Sequence, residues 1–403
     1  MPLAALQPAE AAAHTKALAA FVGMCGATHW QRRQAELSAL THETSHLSRA
    51  AQQRHALELA LARLMAPNRA AAPGAAEQRL LGFTTEAVRL AATLPAPARQ
   101  RLRQRLAAAL AGDGTLVPLF HLLHTAAQLR AHGFTLSFPN LAEGAPQDLL
   151  ATRQGATVEV ACETISADEG RPVTRGDWFA LVDAINPELQ TWLAAHPGRY
   201  LLKVTLPEGL AGPNQAAELQ HRISTLLAEE KRHDIGAQAV LKLDPLVLAG
   251  AQAAGQGLPG RLRAAFGPEA HLAVTANAGS VFVMAARAGR ENEVAHAVAR
   301  RAALAAETRL TQNHPGILAL LLEDVERAEW RALRESLELE GVLRRFLISP
   351  AARPVVAIAC ATRFELLGLA PPDAVAEGEL RFRNPGHPAA KLPALAPAIL
   401  SSM

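Results

Sequence analysis

The sequence predicts an α/β protein with a helical N-terminal domain, a mixed sheet with flanking helices, and an α/β C-terminal extension. Before about residue 110, apolar residues such as Leu37, Leu40 and Leu47 recur at three- and four-residue steps or their multiples, which is typical of helices. From about residue 134, short runs alternate between apolar and polar side chains and indicate strands. The Gly112-Asp-Gly segment between these patterns indicates a hinge. We therefore expect domains at residues 1–112, 113–212 and 213–403.

Composition narrows the class of protein. The chain has 403 residues, of which 50% are hydrophobic and 19% charged, as expected for a globular protein with a well-filled core. Its three cysteines lie far apart, so we expect no disulfide framework. No apolar run is long enough to cross a bilayer, and the first residues lack the charged opening of a signal peptide. These features predict a cytoplasmic protein without membrane contact.

Positive charge is concentrated at the front of the chain. Residues before Leu116 include 13 Lys and Arg against 7 Asp and Glu, whereas the remainder has 27 against 30. This asymmetry favours contact with nucleic acid, although a solvated helix face explains it equally well. Four arginines, which would spread around a helix, are the candidate contacts here: Arg99, Arg101, Arg103 and Arg105.

The segment His42-Glu43-Thr-Ser-His46 matches the pattern of zinc proteases. Two histidines four residues apart on a helix share a face and can bind one Zn²⁺, while the glutamate activates a bound water. The extended metzincin pattern is broken, because Arg49 and Gln52 stand where its glycine and third histidine belong. Two surface histidines beside a glutamate are the alternative to a zinc hydrolase.

The centre of the chain predicts a site on adjoining strands. A helix predicted at 117–132 is followed by extended runs around Asp148 and from Thr157 to Glu163. Because side chains alternate along a strand, Glu159 and Glu163 point the same way. Two carboxylates on an otherwise apolar strand are costly to bury without a cation. With Asp148 on the neighbouring strand, the expected partner is a divalent metal bound by oxygen ligands.

Three segments of this region carry a resemblance to a known family. They are Gly-Phe-Thr-Leu-Ser-Phe at 133–138, the lone Asp148, and Val-Glu-Val-Ala-Cys-Glu-Thr-Ile-Ser-Ala-Asp-Glu-Gly-Arg at 158–171. Residues 116–210 thereby resemble the PD-(D/E)XK nuclease superfamily, also called the restriction-endonuclease-like fold. The resemblance implies Mg²⁺ or Mn²⁺ held by acidic residues, and a lysine that positions or activates the attacking water in phosphodiester hydrolysis.

Carried over to this chain, the family motif is broken. Asp148 matches its aspartate, but two alignments compete for the rest. If Glu159 is the glutamate, Ala161 stands at the lysine position; if a cysteine separates the pair, Ala161 replaces the glutamate and Glu163 the lysine. The residues that follow the cysteine favour the second alignment.

Three explanations of the broken motif stay open. The site is dead, or it holds a metal through Asp148, Glu159 and Glu163, or Lys203 on the next predicted strand supplies the missing lysine. The alternative is that Lys203 is not catalytic, and that its aliphatic stem is buried while its amine reaches solvent. Arg171, at the end of the motif, is a further candidate contact for nucleic acid.

Past residue 210 the sequence predicts a second α/β unit without a further chemical motif. The expected function is that of a nuclease-like, nucleic-acid-associated protein with an altered and impaired metal-dependent phosphodiesterase site. One alternative is a non-catalytic interaction protein with a protein partner. The other is a zinc hydrolase that uses His42, Glu43 and His46.

Overall fold

The computed structural model describes residues 8–66, 73–246, 258–267, 270–363 and 379–400. Within these ranges the protein is α/β, with a helical N-terminal region followed by two mixed β-sheets. The predicted fold class is therefore confirmed. No helix in these ranges combines the length and apolar character needed to cross a membrane.

The N-terminal helices share a core of aliphatic and aromatic side chains. Its helices are α1 (Pro8–Cys25), α2 (Ala27–Thr41), α3 (His46–Arg54), α4 (Ala56–Met65), α5 (Ala75–Thr93) and α6 (Ala96–Ala109). Of the three leucines that predicted a helix here, Leu37 is buried, whereas Leu40 and Leu47 are exposed. Leu40 and Leu47 lie on opposite sides of the break between α2 and α3, so the seven-residue step between them does not follow the face of one helix.

The remaining helices surround the sheets. They are α7 (Val117–Ala131), α8 (Pro139–Glu143), α9 (Arg175–Ala195), α10 (Pro213–Ala228), α11 (Leu258–Phe266), α12 (Val294–Thr308), α13 (Arg327–Glu335), α14 (Glu338–Leu347) and α15 (Ala396–Ile399). The sequence pattern over residues 329–346 predicts a single helix. The structure divides it into α13 and α14, because Leu337 adopts a left-handed backbone with φ of 57°.

Eleven strands in the described ranges form the two sheets. They are β1 (Thr135–Ser137), β2 (Leu149–Arg153), β3 (Ala156–Ser166), β4 (Arg199–Leu206), β5 (His233–Ile235), β6 (Val240–Pro245), β7 (His271–Asn277), β8 (Ser280–Ala288), β9 (Gly316–Glu323), β10 (Val355–Thr362) and β11 (Leu380–Arg383). The first sheet has the order β1-β2-β3-β9-β10-β11, and the second has the order β5-β6-β4-β8-β7.

The first sheet is buried on both faces. Strands β3, β9 and β10 run parallel, and β2 pairs antiparallel with β3. One face packs against α7 and the N-terminal helices, and the other packs against α12, α13 and α14. This double cover explains the continuous apolar sequence of β9, which is typical of a central parallel strand.

The predicted boundary near residue 212 does not separate the two sheets. Strand β4, expected in the middle domain, pairs with β6 and β8 of the second sheet. Strands β9 and β10, expected in the C-terminal extension, complete the first sheet beside β3. The physical reason is that β3 would otherwise leave one edge of its backbone unpaired, and the apolar β9 satisfies it.

Candidate functional site

Asp148 lies directly before β2 and is fully buried. Its backbone N–H donates to the Val160 carbonyl at 3.0 Å, and its Oδ2 accepts from the Cys162 N–H at 2.9 Å. Two guanidinium groups also donate to the carboxylate, Arg105 to Oδ1 at 3.1 Å and Arg309 to Oδ2 at 2.7 Å. The buried charge of Asp148 is therefore compensated by arginine.

Arg309 joins Asp148 to Glu163. It lies at the C-terminal end of α12, and its Nη1 donates to the Glu163 carboxylate while its Nη2 donates to Asp148. Its Nε donates to the Pro146 carbonyl at 2.8 Å. Every nitrogen of this guanidinium thus has an acceptor. We call Asp148, Glu163, Arg105 and Arg309 the Asp148 cluster.

Glu159 is held separately by the segment that follows α12. Its carboxylate accepts from the backbone N–H of Thr311 at 2.7 Å and from the hydroxyl of the same residue. Only 1% of its surface is exposed. The acidic side chains of β3 are therefore satisfied by Arg309 and Thr311, which lie two residues apart.

The donor set does not fit a divalent cation as it stands. A metal held by Asp148 and Glu163 would compete with the Arg309 guanidinium, which already binds both carboxylates. In the described part of the chain, no group of three or more His, Cys, Asp or Glu side chains is placed to hold a metal ion. The cation expected from the buried carboxylates is present, and it is an arginine.

Cys162 lies on β3, but its thiol does not take part in the chemistry of the acidic side chains. Burial raises the pKa of its thiol well above the usual range, and the nearby Asp148 carboxylate adds to the rise. The thiol therefore stays protonated at neutral pH, which excludes it as an activated nucleophile.

Lys203 lies on β4 in the second sheet, whereas the Asp148 cluster lies on the first. Its ammonium group contacts the Asp244 carboxylate at 3.3 Å, and 47% of the side chain is exposed. Lys203 was a candidate for the missing lysine because its strand was expected beside β3. That premise is wrong, because β4 belongs to the other sheet. The structure instead places the ammonium group of Lys203 at the surface, where it pairs with Asp244.

The arginine-rich segment has structural partners at three of its four positions. Arg99 donates to the Ala91 and Leu94 carbonyls near the end of α5, and Arg101 donates to carbonyls near the end of α8. Arg105 belongs to the Asp148 cluster. Arg103 is exposed and, unlike the other three, has no partner among the described residues.

Arg171 is also committed within the protein. Only 3% of its side chain is exposed, and it donates to Asp168, to the carbonyl of Asp324 and to both carboxylate oxygens of Glu329. Although burial opposes it, the carboxylates of Glu329 and Asp168 raise the pKa of Arg171 above its ordinary value. A residue so enclosed cannot serve as a surface contact for phosphates.

The zinc-protease pattern falls on a break between helices. Helix α2 ends at Thr41 and α3 begins at His46, so His42 and His46 do not share a helical face. The Nδ1 of His46 instead lies 2.8 Å from a carboxylate oxygen of Asp183, which also accepts the N–H groups of His46 and Leu47. The helical premise of the predicted zinc site therefore fails, and His46 binds Asp183 instead.

Sequence reasoning missed Arg309 and Thr311. Arg309 is separated from Glu163 by 146 positions, so no local pattern links them. The available signal was the requirement that buried carboxylates have a cation, which applies to arginine as much as to metal. Comparison with family models, curated proteins and solved structures finds no match for this chain.

Proposed function

We propose that this protein is a cytoplasmic nucleic-acid-binding protein that uses a nuclease-like scaffold without metal-dependent hydrolysis. The observation that carries the proposal is the Arg309 guanidinium, which bridges the carboxylates of Asp148 and Glu163. Phosphodiester hydrolysis by the family that this chain resembles requires a cation that remains open to substrate. An arginine that already binds both carboxylates offers no such position.

The missing lysine supports the same conclusion. In either alignment of the motif, Ala161 or Glu163 stands where the lysine belongs. In the first alignment the lysine position, Ala161, is fully buried against α12; in the second it is Glu163, whose carboxylate binds Arg309. Neither metal nor ammonium is then available to offset the charge that develops on the phosphate.

Binding to nucleic acid is supported by a basic face on the second sheet. Lys203 and Lys242 are directly opposite each other on β4 and β6, and Arg287 on β8 lies opposite Thr205, on the same face. All three cations are exposed. We call Lys203, Lys242 and Arg287 the lysine face.

The charge balance of the lysine face favours an anionic partner. The two lysines share one carboxylate, Asp244, at 3.3 and 3.4 Å. Although its slight burial opposes this, the two ammonium groups lower the pKa of Asp244, which therefore stays charged. Like charges opposite each other on neighbouring strands are destabilising, and phosphate groups would relieve the excess.

Salt-dependent binding tests the nucleic-acid half of the proposal. Affinity for single- and double-stranded oligonucleotides is measured by fluorescence anisotropy over a series of NaCl concentrations. Replacing both lysines, Lys203→Gln with Lys242→Gln, should lower the slope of log K against log salt by about two. The matched control, Lys16→Gln with Lys391→Gln, removes two exposed lysines elsewhere and should leave the slope unchanged.

A cleavage assay tests the other half. The wild type and Asp148→Ala are incubated with single- and double-stranded substrates and Mg²⁺ or Mn²⁺, and we expect no cleavage in either. Robust cleavage that Asp148→Ala abolishes would contradict the loss of hydrolysis. Absence of salt-dependent binding would contradict the nucleic-acid half and favour a protein partner instead.

A further inference from the structure

A cleft of about 90 Å³ lies between a helix that covers the second sheet and a helix that covers the first. One wall is the first turns of α9, which covers the second sheet, and the opposite wall is the start of α13, which covers the first. The lining side chains include Arg175, Trp178, His271, Asn292 and Glu329.

Trp178 gives this cleft an unsatisfied donor. It is 1% exposed, and its ring lies 6.0 Å from the ring of His271. The indole Nε1–H is buried and has no hydrogen-bond partner in the described structure. Buried indole N–H groups ordinarily find an acceptor, because leaving one unpaired costs about 1–3 kcal/mol. An acceptor supplied from the cleft would satisfy this donor.

Arg175 adds an under-compensated cation on the same face of α9. It precedes Trp178 by three residues, so the two side chains are neighbours on the helix. Its nearest carboxylates are Glu326 at 3.4 Å and Glu329 at 3.9 Å. Glu329 already binds Arg171 through both oxygens. Burial, and then repulsion by Arg171, lower the pKa of Arg175 below its ordinary value, which indicates incomplete compensation.

A second cavity of about 130 Å³ adjoins the first and shares His271 and Asn292 with it. Its lining includes Arg287 and Arg290. The two cavities together exceed the room that an inorganic ion needs. A ligand held at Arg175 therefore has space for an organic part that extends past Asn292.

We propose that this cleft binds a small phosphate monoester, whose phosphate oxygens accept hydrogen bonds from the Trp178 indole and the Arg175 guanidinium. A phosphate offers three strong acceptor oxygens and a charge of about −2, which suits one neutral and one cationic donor. Arginine is the side chain best matched to this geometry. The phosphate position at Trp178 and Arg175 includes no residue of the lysine face, although the adjoining cavity is lined in part by Arg287, which belongs to that face.

The indole signals of the full chain provide a direct test. The protein has four tryptophans, so a ¹⁵N-tryptophan-labelled sample gives four indole resonances. Titration with inorganic phosphate and with 5′-AMP, at constant ionic strength, should shift the Trp178 resonance saturably and leave Trp30 and Trp330 in place. Adenosine lacks the phosphate and should cause no shift. Trp178→Phe assigns the resonance, and if that variant does not fold, replacing each of the other tryptophans by phenylalanine assigns it by elimination.

Arg175→Gln should weaken phosphate and 5′-AMP binding at least about tenfold, because it removes a charged donor. The matched control is Arg103→Gln, which removes an exposed arginine outside the cleft and should leave both affinities unchanged. Either of two results would overturn the proposal. One is a Trp178 resonance that neither inorganic phosphate nor 5′-AMP shifts at about 10 mM. The other is a shift that occurs with the same affinity in Arg175→Gln as in the wild type.

Discussion

Replacing Arg309 with methionine tests whether its guanidinium holds the Asp148 cluster together. The change removes donors to Asp148, Glu163 and the Pro146 carbonyl, and it keeps much of the aliphatic stem. Asp148 retains two donors, the Cys162 N–H and Arg105. We expect Arg309→Met to destabilise the fold without abolishing it.

The magnitude follows from the burial of each partner. Breaking a buried ion pair by removing one member costs about 3–5 kcal/mol. The side chains of Arg309 and Glu163 are 26% and 17% exposed, so water can replace part of what Glu163 loses. Asp148 is fully buried, but Arg105 still compensates it. We therefore expect Arg309→Met to lower the free energy of unfolding by about 2–3 kcal/mol.

Urea denaturation, with hydrogen exchange of the β3 amides as a local probe, measures the loss. Arg103→Met removes an exposed arginine and should cost less than about 0.5 kcal/mol. In a double-mutant cycle with Asp148→Asn, the two changes should cost less together than the sum of their separate effects. Equal costs for Arg309→Met and Arg103→Met, or strict additivity in the cycle, would refute the role given to Arg309.

Three further predictions concern other parts of the fold. Burial raises the pKa of Glu323 from 4.5 to about 7; its folded state therefore holds a proton that the unfolded state releases, and wild-type stability falls as pH rises through this window. Glu323→Gln should remove that fall. Relative to the wild type, the free energy of unfolding of this variant should be up to about 3 kcal/mol higher at pH 8 than at pH 4.5. A difference in urea midpoint between variant and wild type that is the same at both pH values would contradict this prediction. Asp183→Ala should cost about 1–2 kcal/mol, more than His46→Ala, because it removes the acceptor for two backbone N–H groups at the start of α3; equal urea costs would contradict this. Gly170→Ala should lower the melting temperature, because its Cβ would lie 2.6 Å from the backbone of α12, whereas Gly82→Ala, with open space on an exposed helix face, should raise it; differential scanning calorimetry distinguishes the two.

Local sequence patterns predicted the secondary-structure elements better than they predicted which strands pair with each other. The turn residues Asn277-Ala-Gly279 between two extended runs predict a hairpin, and the structure confirms it in β7 and β8, with positive φ at Ala278 and Gly279. The assignment of β4 to the first sheet was wrong, because alternation specifies the faces of a strand and not its neighbour. The sequence did hold a signal, since β4 alternates buried with exposed residues whereas β9 is apolar throughout.

For the site, the sequence predicted that acidic side chains gather beside β3, and the structure joins Asp148 to Glu163 through Arg309. It could not predict which cation joins them, because that cation comes from the end of α12, far along the chain. The zinc pattern at His42 and His46 failed for a different reason. Spacing alone cannot show that the helix ends between the two histidines.

The placement of charge in the Asp148 cluster determines where binding can occur. In the arrangement that the proposed nuclease resemblance implies, the strand carries a cation and the substrate approaches it. In the preferred alignment, this strand carries Glu163 at that position, and the cation, Arg309, approaches from α12 with every nitrogen engaged. A phosphate entering here would meet buried carboxylates and no uncommitted Arg309 nitrogen. The Asp148 cluster therefore acts as a structural joint between α6, the first sheet and α12, and anionic ligands should bind instead at the lysine face and at Arg175.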